Sequence, residues 1–187
     1  MRTKSKLMGS VIKALTEEQS YEGMCHADGM EVPMPSVERL REIVGLCREI
    51  IFPGYFGDTP LRPESVQFYM GVNVEKMADL LNREIYAGLC FSEDCDTVAT
   101  LAQKAEDMTM HFVEQLPELR RLLRGDVEAI YYGDPAAKST GEIIFSYPGI
   151  KAILNYRIAH AMHKLGVPLI PRVITEMAHS ETGIDIH

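Results

Sequence analysis

The spacing of apolar positions along this chain is helical almost from end to end. Ser36 follows Pro35 and suits an N-cap. After it Val37, Leu40, Val44, Cys47 and Ile51 share one face, with Glu38 in the first turn where the helix dipole favours a negative charge. That face runs out at Phe52-Pro53-Gly54. Pro63 suits the first turn of a second long helix, which carries Met70, Val74, Met77, Leu81 and Ile85 almost to Gly88. A third is expected from Asp94 through Val98, Leu101, Ala105, Met108, Phe112 and Leu116, a spacing close to a heptad seam. Pro117 is expected to restart the chain, giving a separate helix to about Tyr132 with Leu119, Leu122, Leu123, Val127 and Ile130 on one side.

Two amphipathic segments close the chain. Ile150, Ile153, Leu154, Ile158, Ala161, Met162 and Leu165 form the stripe of the first, which Gly166 ends; Gly183 ends the second. Ile184-Asp185-Ile186-His187 then alternates as a half-buried strand should. A lone strand cannot satisfy its own backbone groups, so the chain is expected to lead into structure it does not itself contain. At the other end, Lys6 to Glu18 reads as a short helix, followed by a Gly- and Pro-bearing connector, SYEGMCHADGMEVPMP. Short turns between the long helices imply antiparallel, bundle-like packing.

Composition narrows the function classes. The net charge of -8, from 19 basic and 27 acidic residues, argues against a nucleic-acid or anionic-membrane surface, which Lys and Arg clusters would supply. No apolar run approaches the roughly 20 residues that cross a bilayer, and the N-terminus lacks a signal-peptide pattern, so a soluble, cytoplasmic protein is expected. Cys25, Cys47, Cys90 and Cys95 show no CxxC and read as reduced core thiols. The 11 methionines lie at core-like spacing and read as packing.

Candidate chemistry is sparse. Asp134-Pro135 holds a carboxylate on a rigid turn, either as ordinary turn chemistry or presented to a cationic ligand group. Arg157 lies on an apolar stripe and needs a carboxylate partner or a neighbouring subunit. His160 with His163, and Glu176 with His179, are three apart on helix surfaces. A bundle di-metal site needs two Glu-x-x-His copies and two further carboxylates, and one copy occurs, so no metal is expected. Asp185 projects opposite to Ile184 and Ile186, by spacing alone an exposed strand residue. No GxSxG, GxGxxG, P-loop or HExxH occurs.

DVEAIYYGDPAAKST, YPGIKAILNYRIAHAMHKLG and the terminal TGIDIH, in this order and spacing, resemble the serine O-acetyltransferase family. The segment from Ile50 to Leu81 resembles, with less specificity, the helical region of a longer-armed branch of it. The resemblance implies an all-α, multi-helix N-terminal domain leading into a left-handed parallel β-helix absent from this chain. The divisions expected are 1–35 as extension and connector, 36–182 as the helical domain and 183–187 as the start of the β-helix. It further implies transfer of acetyl from acetyl-CoA to the hydroxyl of L-serine, acetyl-CoA being a substrate and no cofactor being resident. Asp134 matches the aspartate that holds the substrate ammonium, and Asp185 the aspartate of a catalytic His-Asp dyad. His187 belongs to the same motif and is not the base; the catalytic His and the CoA-binding repeats lie beyond it, so this chain alone is expected to be inactive. Homo-oligomers, trimers or dimers of trimers in the full protein, are implied, as is binding of O-acetylserine sulfhydrylase through an absent C-terminal tail. Two other readings remain open: a non-catalytic helical oligomerisation module, and a metal-binding bundle. Association is expected even of this chain alone, with the seam from Val98 to Leu116 and the stripe around Ile150 as the surfaces that drive it.

Overall fold

The computed structural model describes residues 2–24, 33–57, 60–92 and 97–186. The chain divides into two compact units, Met1–Val32 and Pro33–His187. In the first, α1 (Arg2–Leu15) is followed by the single turn α2 (Glu18–Tyr21). Leu7, Met8, Val11, Ile12 and Leu15 of α1 are all exposed. Half of the expected connector, Cys25 included, and Asp94, Cys95 and His187 fall outside the described residues.

The elements of the second unit among its described residues are all helical: α3 (Val37–Ile51), a 3-10 turn (Pro63–Ser65), α4 (Val66–Ser92), α5 (Val98–Gly133), α6 (Thr140–Ser146), α7 (Pro148–Lys164) and α8 (Ile170–Thr182). Ser36 caps α3 by accepting the Arg39 amide at 3.3 Å, and Thr97 caps α5 through the Thr100 amide at 3.3 Å. The expected stripes become one core: Leu40 and Cys47 of α3, Met77, Leu81 and Ile85 of α4, Phe112 and Leu123 of α5, and Ile150, Leu154 and Ile158 of α7 are buried. Burial pushes the Cys47 thiol up to about 12.

Three expectations are corrected. Pro117 does not restart the chain; α5 is one helix of 36 residues running through it. Pro117 lies on the exposed face, and the buried Leu116 and Leu119 keep the apolar stripe continuous across it. Gly88 does not end α4, which continues to Ser92. A Cβ at Gly88 would lie 3.3 Å from the Pro168 carbonyl oxygen, so the glycine serves close approach of the α7–α8 connection. No strand occurs among the described residues. Ile184 to Ile186 is neither helical nor laddered, with Ile184 and Ile186 half-buried and Asp185 exposed.

Further differences are smaller. Met24, Met34 and Met110 are exposed rather than core. Leu101, Ala105, Phe112 and Leu116 of the heptad-like seam, and the stripe around Ile150, are spent on the protein's own core; the exposed apolar side chains are others, among them Phe68, Tyr132 and Phe145. The helix α6 has no expected counterpart, being seven residues long and so too short to show a period. It is started by local chemistry: Ser139 accepts the Glu142 amide at 3.1 Å, while the Glu142 carboxylate accepts the Lys138 amide at 2.8 Å.

The α7–α8 connection is tight. Gly166 is left-handed at φ 78°, and Leu169 has φ 59° and ψ −50°, a region that L side chains rarely occupy. The Ile170 amide reaches back to the Pro168 carbonyl at 2.5 Å, closing a γ-turn around Leu169. Buried Val167 and Ile170 on either side hold this turn in place.

Candidate active site

Asp134 terminates α5, its amide donating to the Ile130 carbonyl at 2.9 Å. Pro135 prevents the helix from continuing, and the Ala137 amide returns to the Asp134 carbonyl at 3.1 Å, closing a β-turn. Within that turn the Ala136 amide donates to Asp134 Oδ1 at 2.9 Å. The Tyr147 hydroxyl, from the residue before α7, donates to Oδ2 at 2.8 Å.

Both carboxylate oxygens are thus engaged, each by one donor. A carboxylate has about four lone-pair positions, so two remain for another group, and the two fixed ones set where they point. The Ala136 amide, then the Tyr147 hydroxyl, hold the Asp134 carboxyl below its usual range. The same bond to Asp134 raises the Tyr147 phenol. An ionised, half-buried and oriented carboxylate is suited to an ammonium or guanidinium. The turn reading of Asp134 is correct, and it leaves the carboxylate available for a ligand.

Arg157 finds the carboxylate it required. Its Nε and Nη2 donate to the two oxygens of Asp126 on α5 at 2.5 and 2.7 Å, a bidentate pair with both side chains about three-quarters covered. Asp126 raises the Arg157 guanidinium further above its usual value. This pair ties α5 to α7 two turns before the Asp134 turn, and so fixes the helix end from which Asp134 projects.

Asp185 follows the left-handed cap at Gly183, in the stretch whose start is held by the Ile184 amide on Thr182 Oγ1 at 3.1 Å. Its position relative to Asp134 follows from helix direction. α7 and α8 are antiparallel: Lys151, near the start of α7, pairs with Glu181, near the end of α8, at 2.5 Å. Tyr147 precedes α7 and Asp185 follows α8, so the Asp134 turn and Asp185 lie at the same end of the helix pair.

His160 and His163 lie toward the other end of α7. His160 stacks on Tyr156 with ring centroids 5.5 Å apart, beside a 430 Å³ cleft lined by His163, Pro171, Arg172 and Thr175. Glu176 and His179 are exposed on α8. Among the described residues no group of three or more His, Cys, Asp or Glu side chains could hold a metal ion. No helix among them is long and apolar enough to cross a membrane.

Two contacts were not anticipated. Tyr147 becomes Asp134's partner only because α6 folds the chain back, and that helix carries no periodic signal. Glu84, fully buried on α4, accepts the Ser36 amide at 2.6 Å and also the Arg39 Nε, clamping the start of α3. The available sign was a glutamate interrupting an otherwise apolar stripe between Leu81 and Ile85.

No family model matches the chain. It is 44% identical over 160 residues to the plasmid serine acetyltransferase of Synechococcus elongatus, a match covering 83% of this chain and 50% of that protein. It is 42% identical over 65 residues to the serine acetyltransferase of Synechocystis, covering 35% of this chain and 26% of that one. In structure it matches serine acetyltransferase 1 of Entamoeba histolytica in complex with L-cysteine, with a TM-score of 0.64 and 28% identity over 82% of this chain and 50% of that one. The native form of that enzyme matches with a TM-score of 0.64 and 27% identity over 91% of this chain and 59% of the other. The chain spans about half the length of the Synechococcus relative and corresponds to its N-terminal part.

Proposed function

We propose, on the premise that this chain is homologous to the N-terminal part of the serine acetyltransferases, that it is the helical portion of an enzyme that acetylates L-serine on its hydroxyl with acetyl-CoA as donor. The observation that carries this reading is the 44% identity over 160 residues. In this reading Asp134 accepts the serine ammonium in a charge-assisted contact that positions the nucleophile. Its orientation by Ala136 and Tyr147 supports that role.

A serine hydroxyl needs a base to take its proton as it attacks the thioester carbonyl, and a neutral imidazole suits that task. A carboxylate behind the imidazole would hold its tautomer and stabilise the imidazolium. We assign that carboxylate to Asp185, and the imidazole and the acetyl-CoA groove to the half of the relatives that these 187 residues do not cover. Within the chain His160 and His163 lie toward the far end of α7 from the Asp134 turn, which supports placing the base elsewhere. Assembly into trimers or larger homo-oligomers belongs to the same proposal, as does association with O-acetylserine sulfhydrylase.

The test is thiol release from acetyl-CoA in the presence of L-serine, measured for the product of the complete reading frame and for these 187 residues alone. The first is expected to turn over in a serine-dependent way and the second to remain at background. Serine-independent release only, or turnover by the 187 residues, would overturn the assignment.

A further inference from the structure

A second cleft, of about 250 Å³ and with charged side chains in its lining, lies between α3, α7 and α8 and shares no residue with the Asp134 turn. Arg41, Arg48 and Lys151 line it together with one acid, Glu181. Both oxygens of Glu181 face cations, Lys151 Nζ at 2.5 Å and Arg41 Nε at 3.6 Å. The neighbouring Lys151, with Arg41 behind it, holds the Glu181 carboxyl below its usual range. Arg48 makes no ion pair among the described residues: its guanidinium stacks on Phe56 at 3.8 Å, and burial lowers its affinity for a proton against the opposing through-space pull of Glu49 and Glu181. The adjacent Glu49 is turned to the Tyr69 hydroxyl at 2.8 Å and the Asn73 amide at 3.3 Å. The cleft therefore carries three positive charges against one negative.

Two buried polar atoms there have no hydrogen-bond partner among the described residues, the donor Arg48 Nε and the acceptor Asn155 Oδ1. Asn155 is only 2% exposed. Its orientation is set by its Nδ2, which donates to the Ile174 carbonyl at 3.4 Å; the flipped amide would bring two oxygens together, so Oδ1 is the atom of this lining residue that stays unpaired. A bound water could donate to Asn155 but would leave the excess positive charge uncompensated. An occupant that meets all three conditions is an anion that accepts from Arg48 and Lys151 and also owns an N–H or O–H for Asn155.

Gly45 supports an open cleft. It lines the space from the middle of α3, where glycine costs helix stability. A Cβ there would meet nothing within 4 Å, so close packing does not require its absence. We propose that this cleft is a binding site for a small oxyanion that carries its own hydrogen-bond donor, the chemistry shared by hydrogen phosphate and by α-amino or α-hydroxy carboxylates. The cleft volume of about 250 Å³ accommodates a molecule of that size.

The experiment is amide-resolved NMR of the chain titrated separately with inorganic phosphate, glycine and L-lactate at low ionic strength. Saturable shifts confined to residues 41–48, 151–155 and 177–181 are expected with at least one probe; phosphate alone, or the carboxylates alone, identifies the source. Gly45→Met fills the cleft without removing a charge and is expected to weaken binding by at least about tenfold while the fold is kept. Arg48→Gln is expected to do the same, and Lys151→Gln, whose side chain is 41% exposed, covers the case in which Arg48→Gln does not fold. Absence of saturable shifts with all three probes would overturn the proposal. So would shifts that persist undiminished in Gly45→Met, or that spread over exposed lysines generally.

Discussion

Replacing Glu84 by Ala is the sharpest test of how α3 is held. The carboxylate is fully buried on α4 and takes two donors, the Ser36 amide at 2.6 Å and the Arg39 Nε. Alanine would leave the Ser36 amide without a partner, a loss of about 1–3 kcal/mol. The Arg39 side chain is 48% exposed and can rehydrate, so the ion pair contributes only about 1 kcal/mol. The vacated volume adds roughly 1 kcal/mol, and release of a desolvated carboxylate offsets part of the total. The net cost is therefore about 3 kcal/mol, or a midpoint lowered by roughly 6–12 °C in a unit of this size. Glu84→Gln keeps an acceptor for Ser36 and is expected to lose about 1–2 kcal/mol. Chemical denaturation gives both values, and hydrogen exchange at Arg39 and Leu40 shows whether the loss starts at the α3 terminus. A cost below about 0.5 kcal/mol for the alanine variant, with unchanged exchange there, would refute the clamp.

Tyr147→Phe removes one of the two donors that hold the Asp134 carboxyl down, so NMR titration should show it moving up toward the ordinary carboxylate range. A depressed folded-state carboxyl contributes stability that is present above its unfolded-state pKa and lost as pH falls through its folded value; the variant should therefore lose less stability between neutral and acid pH than the parent chain. Under the proposed function the same substitution, and more strongly Asp134→Asn, is expected to raise KM for serine more than it lowers kcat in the product of the full reading frame. Asp126→Asn breaks the bidentate pair with Arg157 while both groups are largely covered, and should cost about 1.5–3 kcal/mol by denaturant unfolding. Leu169→Gly relieves a backbone strained by about 1–3 kcal/mol and gives up a side chain that is 37% exposed, so stability should hold or rise; a large loss would mean that the γ-turn is not under strain.

The helices were readable wherever apolar residues recur over three or more turns, as in α3, α4 and α7, because burial of one face is what selects those segments. Proline misled at residue 117, since its missing donor is damaging only where the freed carbonyl is shut off from water, and here the residue faces outward. Glycine misled at residue 88 for the opposite reason: its lack of a side chain serves a contact with Pro168, 80 residues away, that no local pattern encodes. At the site, the Asp134 turn was visible in Asp-Pro chemistry, and the need of Arg157 for a partner was visible in its place on an apolar stripe. The identities of those partners, Tyr147 and Asp126, depended on which helices meet. Roles for Asp134 and Asp185 came from resemblance, because an isolated carboxylate has no periodicity to betray what it binds.

The unbroken α5 acts as a lever. Its 36 residues span about 54 Å, and roughly 25 Å of that lies between Pro117 and the turn that carries Asp134. A hinge of only about 5° at the proline would sweep that carboxylate by about 2 Å. The Asp126–Arg157 pair, bracing α5 against α7 between the proline and the tip, is what resists such a swing.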